Sequence, residues 1–155
     1  MKLTEQYYHH SSRATIETFS DSIADIVYTI HHCPHNFEPG ASPKIKSYFD
    51  TVLNAKGWVN DVKIDPSLHN TVNFVKLDVA FVLQLGNVAR IYADVLKLSY
   101  LQQKNITRLG ILAIACNPES KLLGANYANF ERVVRELTIY RDILVYPLYI
   151  LGLTN

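Results

Sequence analysis

Three polar side chains that could take part in chemistry lie within one short and mainly apolar stretch of the chain. Asn73 and Gln84 carry amides, Lys76 carries an ammonium group, and Val82 between them has no polar atom. Mg²⁺ selects carboxylate oxygens, so an Asn amide is a poor ligand for it and a Val side chain offers none. Neither Gln84 nor Lys76 can recruit the ion. The residue types therefore predict no metal at this place.

A β-hairpin is needed to position these residues. Residues 72–77 and 79–85 are apolar runs separated by a tight turn, as in a hairpin. The second run is apolar on both faces, which is typical of a strand in the interior of a sheet. Side chains two apart on a strand face the same way, so Val82 and Gln84 should share a face. We expect both to lie with Asn73 at one pocket.

Hydrophobic periodicity predicts the elements around the hairpin. Predicted helices cover residues 12–32, 42–57, 88–103 and about 127–137. Predicted strands cover residues 58–64, 72–77, 79–85, 109–115 and 143–151. Ser42 is the expected N-cap of the second helix, Gly57 should end it in a left-handed conformation, and Pro147 places the last strand at a sheet edge.

This order predicts an α/β fold in which a mixed central sheet is flanked by helices. Because a helix precedes the strand at 109–115, that strand should run parallel to 79–85. The length of 155 residues, with 48% hydrophobic and 19% charged, suits a single domain over residues 1–155.

The bulk charge and the cysteines narrow the classes of function. A net charge of +1 disfavours nucleic-acid binding through overall electrostatics, so any DNA surface must be a local patch. Cys33 and Cys116 are far apart and lack metal-ligand spacing, and the absence of a long apolar run predicts no membrane span. Together they indicate a cytoplasmic protein. The histidines near Cys33 do not form a convincing zinc motif.

The stretch from Asn73 to Asn87 resembles the active-site hairpin of type II restriction endonucleases of the BglII/BamHI kind, including the BglII/BstYI group, whose core is the PD-(D/E)xK fold. In that family the hairpin reads Asp-Phe-Val-Lys, a tight turn, and Val-Ala-Val-Glu-Val-Gln-Phe-Gly-Asn. Asn73 stands in place of the Asp and Val82 in place of the Glu, while Gln84 matches. The similarity continues through the helix that begins near Arg90 and the strand at 109–115.

The resemblance implies a restriction-endonuclease-like core and a chemistry. Such nucleases hold Mg²⁺ with the Asp and the Glu to activate a water for phosphodiester hydrolysis. With both replaced, Gln84 and Lys76 remain as residues of a vestigial catalytic site, and no cofactor is expected unless the chain is active with Mg²⁺. Asp78 or Asp94 could supply a displaced carboxylate, although Asp78 belongs to the turn.

The resemblance also implies double-stranded DNA as partner and a homodimer as the assembly. The predicted DNA-binding residues are the basic residues in and after the next helix: Arg90, Lys97, Lys104 and Arg108. Lys97 could equally be a surface partner of Asp94, three positions before it.

Three functions remain open on the sequence. The favoured one is a DNA-binding endonuclease homologue that is catalytically inactive, a pseudo-nuclease. The second is a Mg²⁺-dependent restriction endonuclease that cleaves duplex DNA through displaced ligands. The third is a protein-protein interaction subunit of a restriction or defence system, which the low net charge would suit.

Overall fold

A mixed sheet forms the centre of the protein in a computed structural model, which describes residues 1–67 and 69–155. Within these ranges the strands are β1 (Lys2–His9), β2 (Val59–Lys63), β3 (Thr71–Lys76), β4 (Val79–Gln84), β5 (Leu109–Ala115) and β6 (Leu148–Thr154). The helices are α1 (Ser12–Thr18), α2 (Ser20–His31), α3 (Ser42–Ala55), α4 (Ala89–Gln103), α5 (Asn117–Leu123) and α6 (Phe130–Ile139). In the described part of the chain, no helix is both long and apolar enough to cross a membrane.

The sheet has the strand order β1-β6-β5-β4-β3-β2. β4, β5 and β6 are parallel to one another, and the remaining pairs are antiparallel. All six residues of β4 are buried, because this strand has neighbours on both sides and helices over both faces. The mixed α/β sheet, the interior position of β4 and its parallel pairing with β5 confirm the predictions from the sequence.

Two apolar cores cover the two faces of the sheet. On one face, α2 and α3 pack against a core that includes Phe74 and Phe81, whose rings stack with centroids 5.5 Å apart. On the other face, α4 and α6 pack against a core that includes Val82, Val95 and Leu98. Apolar burial of this kind stabilises by roughly 25 cal/mol per Å², so both helical layers hold the hairpin in place.

The hairpin itself turns at Leu77, whose φ of 51° lies in the left-handed region. Lys76 and Val79 face each other across the turn. The carbonyl oxygen of Asp78 accepts hydrogen bonds from the amides of Arg108, at 2.6 Å, and Leu109, at 3.2 Å. Those bonds fix the turn against the start of β5, at the opposite end of β4 from Gln84.

Four expectations about the elements were wrong, and each failure has a local cause. β1 was missed, since half of its side chains are exposed and the buried ones do not alternate with them. β6 follows Pro147 and lies between β1 and β5, so it is not an edge strand. Ser42 is the first residue of α3 and makes no capping hydrogen bond. The first predicted helix is interrupted at Phe19 and forms α1 and α2.

The end of α3 was predicted from the sequence, and the helix α5 was not. Gly57 has a φ of +84°, which confirms the left-handed end of α3. The short helix α5 was not predicted, because its seven residues are too few to show a helical period.

Candidate functional site

A cleft of about 670 Å³ opens at the carboxyl end of β4. Its walls are α3, the ends of β3 and β4, and the first turns of α4. The lining side chains used below are Lys46 from α3, Asn73 from β3, Gln84 from β4, and Arg90, Asp94 and Lys97 from α4. The cleft is therefore formed where the predicted polar residues of the hairpin meet the helix that follows them.

Two of the three residues expected to share a pocket line this cleft. Asn73 and Gln84 both do so, whereas Val82 is only 3% exposed and packs in the core beneath α4. The Asn73 side chain is already engaged, because its Oδ1 accepts a hydrogen bond of 3.1 Å from the backbone amide of Leu83. This contact joins β3 to β4 at the cleft.

Gln84 is held by partners on both of its amide atoms. Its Nε2 donates to Asp94 Oδ2 at 2.5 Å, and its Oε1 accepts from the Gly86 backbone amide at 2.8 Å. Asp94 Oδ1 in turn accepts from Lys97 Nζ at 3.0 Å. The chain Lys97, Asp94, Gln84 thus links the second turn of α4 to the end of β4.

Asp94 is the carboxylate on which these contacts converge, and its side chain is only 14% exposed. Burial raises the pKa of Asp94 above its ordinary value, against the hydrogen bond and charge of Lys97 and the charge of Arg90, which act to lower it. The Lys97–Asp94 pair considered from the sequence is therefore present, but it lies within the cleft and not on an open helix face.

Lys76 does not reach the cleft. Its ammonium group donates to Asp25 Oδ2 at 2.7 Å and to the carbonyl oxygen of Lys56 at 2.9 Å. The indole of Trp58 donates to the same carboxylate oxygen at 3.2 Å. Burial alone would raise the pKa of Asp25, but the hydrogen bonds from Lys76, Trp58 and Lys56 hold it below its ordinary value. Lys76 therefore fastens the hairpin to α2 and is not brought together with Asn73 and Gln84 in the cleft.

The four predicted DNA-binding residues do not form one cluster. Arg90 and Lys97 line the cleft. Lys104 follows the last turn of α4, with its ammonium 5.6 Å from the centre of the Tyr100 ring, and a helix of this length separates it from Arg90 by about 21 Å. Arg108 lies over the Phe19 ring at 5.5 Å, near the start of β5.

A second cleft adjoins the main one. It encloses about 640 Å³, shares Asn70, Ala93 and Lys97 with the main cleft, and extends along α4 to Tyr100. Lys104 lies beside Tyr100, next to the far end of this second cleft, and is not part of its lining.

Sequence reasoning missed one basic residue of the cleft, Lys46. It lies on α3, and nothing in its spacing indicates that α3 borders the hairpin. Lys46 makes only a long contact of 3.8 Å with the exposed Asp61. Lys46 reaches the cleft because α3 packs on the sheet, and this packing could not be predicted from the sequence.

The fold and the comparisons define the class. The chain belongs to the restriction endonuclease BglII/BglIII family, whose model matches residues 4–153. The structure is similar to that of BglII restriction endonuclease complexed with a DNA 16-mer, with a TM-score of 0.85 and 13% identity over the whole of this chain and 77% of that one. For free BglII the TM-score is 0.77 and the identity 17%, over the whole of this chain and 80% of that one. A comparison with curated proteins gives no match.

Endonucleases of this type normally use Mg²⁺, and the side chains present do not fit it. Asp94 is the one carboxylate among the described residues that line the cleft, and both its oxygens are engaged by Lys97 and Gln84. The Asn73 oxygen is engaged by Leu83, and Val82 has no donor atom. Among the residues that the structure describes, no group of three His, Cys, Asp or Glu side chains could hold a metal ion. A hard cation in a protein prefers carboxylate oxygens, and the described lining offers one carboxylate, which is already engaged.

Proposed function

We propose that this protein binds duplex DNA and does not hydrolyse it, as a non-catalytic member of the BglII/BglIII endonuclease family. The observation that carries the proposal is that both carboxylate oxygens of Asp94 already accept hydrogen bonds. A nuclease of this class needs two carboxylates free to hold a metal ion, whereas the single carboxylate of this cleft is bound to Lys97 and Gln84. The family and the positive side chains of the cleft support DNA as the partner.

Cleavage and binding are to be measured on the same preparation. Plasmid DNA incubated with the protein and Mg²⁺ or Mn²⁺ should stay intact, while a labelled duplex at low salt should raise its fluorescence anisotropy on titration. Discrete fragments that EDTA abolishes, and that Gln84→Ala removes, would instead identify an active endonuclease. Loss of all duplex binding at low salt would favour the protein-protein interaction subunit.

The assembly we propose is a homodimer formed through α4 and α6. An apolar groove of about 260 Å³ lies between these helices, and Leu96, Tyr140 and Ile143 in its lining are 60%, 42% and 76% exposed. Its one carboxylate, Glu136, is paired with Arg132 and Tyr92, so the surface requires no charged partner. A twofold axis would place this apolar surface against itself, which suits a second copy of the chain.

A further inference from the structure

The charge of the main cleft is positive although the whole chain is nearly neutral. Lys46, Arg90 and Lys97 line it, and Asp94 is the one negative side chain among the described lining residues, so the net formal charge is +2. The volume of about 670 Å³ lies within the range of about 300–1,000 Å³ that is usual for small-ligand sites. A local patch of this kind attracts anions.

Asp94 already occupies the place of an anion in this cleft. An ammonium group and an amide converge on its carboxylate, from Lys97 at 3.0 Å and from Gln84 at 2.5 Å. These are donors that also bind phosphate oxygens, and Lys is a common phosphate ligand. The carboxylate therefore contacts the same groups that a bound phosphate would use.

Arg90 lies at the edge of the cleft beside Gly86. A Cβ atom at Gly86 would lie 3.8 Å from Arg90 Cδ, an ordinary van der Waals distance, and 3.1 Å from Gln84 Oε1. The aliphatic part of Arg90 therefore runs past the backbone that follows β4. The charge of Arg90 acts to lower the pKa of Asp94, although the guanidinium makes no ion pair with that carboxylate.

We propose that this cleft binds a phosphate of the DNA backbone through Lys46, Arg90 and Lys97 without a divalent cation, and that Asp94 is an internal anion that weakens this binding. The proposal rests on the proposed DNA-binding function. It adds the place at which a phosphate binds and the residue that weakens this binding. In place of a metal ion, three side-chain cations neutralise the phosphate. Removal of the Asp94 charge should therefore strengthen binding.

The test is the affinity for a labelled duplex at low salt, measured by anisotropy for the whole chain. Wild type should bind equally in EDTA and in Mg²⁺. Asp94→Asn keeps an oxygen that can accept from Gln84 and should bind on the order of fivefold more tightly, because a nearby negative charge is lost. Lys46→Ala and Arg90→Ala should each weaken binding and make the affinity less dependent on salt.

Lys44→Ala is the matched control, because Lys44 lies on the same helix as Lys46 but borders a different surface, with His35 and Tyr48. It should bind as wild type does. If DNA binds but all four variants behave alike, or if binding requires Mg²⁺, the phosphate site is wrong and the proposed function stands.

A second measurement applies if the wild type binds no DNA, an outcome that rejects the proposed function. Titration with inorganic pyrophosphate in EDTA, followed by the amide signals of Gly86 and Arg90 in NMR spectra, probes the cleft directly. Shifts that saturate and that Asp94→Asn strengthens would support the anion site. Unchanged signals would overturn it.

Discussion

Gln84 and Asp94 are joined by a hydrogen bond of 2.5 Å between the amide Nε2 and the carboxylate Oδ2. This bond connects the end of β4 to α4. It occupies two polar groups that would have to be free to bind a water molecule or a metal ion. Lys97 completes the arrangement from the same helix. The polar groups that β4 and α4 contribute to the cleft therefore satisfy one another.

Restoring the two missing carboxylates tests whether positions 73 and 82 match those of the family ligands. The double variant Asn73→Asp with Val82→Glu should bind Mn²⁺ or Mg²⁺. Its apo form should lose about 2 kcal/mol of unfolding free energy, because Val82 is buried beneath α4 and the new carboxylates repel each other and Asp94. Metal should recover part of that loss by mass action, which calorimetry with and without Mn²⁺ measures.

Asn73→Asp with Val82→Gln is the control, since it has a side chain of similar size at position 82 without the second charge. It should be destabilised but should gain little from metal. If Mn²⁺ neither binds the double variant nor raises its melting temperature, the match of these positions to the ligands is incorrect.

Lys76→Met should affect stability and leave DNA affinity unchanged. The substitution removes a hydrogen bond and an ion pair from Asp25, whose side chain is only 16% exposed, so the unfolding free energy should fall by about 1–3 kcal/mol. Urea denaturation measures the loss, and Lys63→Met on the exposed face of β2 should cost far less. A clear decrease in duplex affinity at unchanged stability would contradict the structural role of Lys76.

The stability of the protein should fall in mildly acidic solution because of His9. This residue is fully buried, and its Nε2 lies 2.6 Å from the carbonyl oxygen of Leu144. Burial lowers the pKa of His9, the hydrogen bond to Leu144 opposes this, and the charges of His10 and Arg141 lower it further. The unfolded chain therefore takes up the proton first, and stability that is complete above about pH 6.5 is lost as the pH falls through the lower pKa of the folded state.

Unfolding free energies measured at several pH values for wild type and His9→Gln will check this. The variant cannot titrate at this position, so its curve should be flatter below about pH 6.5. Tyr7→Phe on the same strand is the control and should keep the slope of the wild type. Parallel curves for wild type and His9→Gln would show that His9 does not set the acid sensitivity.

Leu96→Glu should dissociate the proposed dimer. Leu96 is 60% exposed at the groove between α4 and α6, where a carboxylate in each copy would meet its symmetry mate without a counter-charge. Sedimentation velocity should give a dimer for wild type and a monomer for the variant. The variant Leu122→Glu has the same substitution at an exposed position of α5 and should remain dimeric. A wild type that is monomeric at all concentrations would reject this assembly.

The elements that could be predicted are those whose own sequence shows a hydrophobic pattern. β5 was predicted with its observed bounds, since its seven residues are all apolar or glycine and buried. β1 escaped because an edge strand with exposed Thr4, Glu5 and Gln6 has no apolar pattern, and only its pairing with β6 makes it a strand. Local pattern cannot reveal a partner more than a hundred residues away.

The candidate site divides in the same manner. Gln84, Arg90 and Lys97 were found because they lie within one continuous stretch of hairpin and helix. Nearness in sequence also suggested Lys76, but strand residues three apart point to opposite faces. Lys76 instead contacts Asp25, which is 51 positions away in the chain. Lys46 enters the cleft through the packing of α3, which periodicity does not determine.

Because Trp58 is hydrogen-bonded to Asp25, its fluorescence reports on the contact between the hairpin and α2. Trp58 is the single tryptophan of the chain and is 2% exposed, with its indole 6.3 Å from the Phe81 ring. Its fluorescence therefore comes from one place, at the junction of α2, α3 and the hairpin. Emission should be at short wavelength in the native protein and shift to longer wavelength when that junction opens. The emission wavelength would then report on the contact between the hairpin and α2 without any added label.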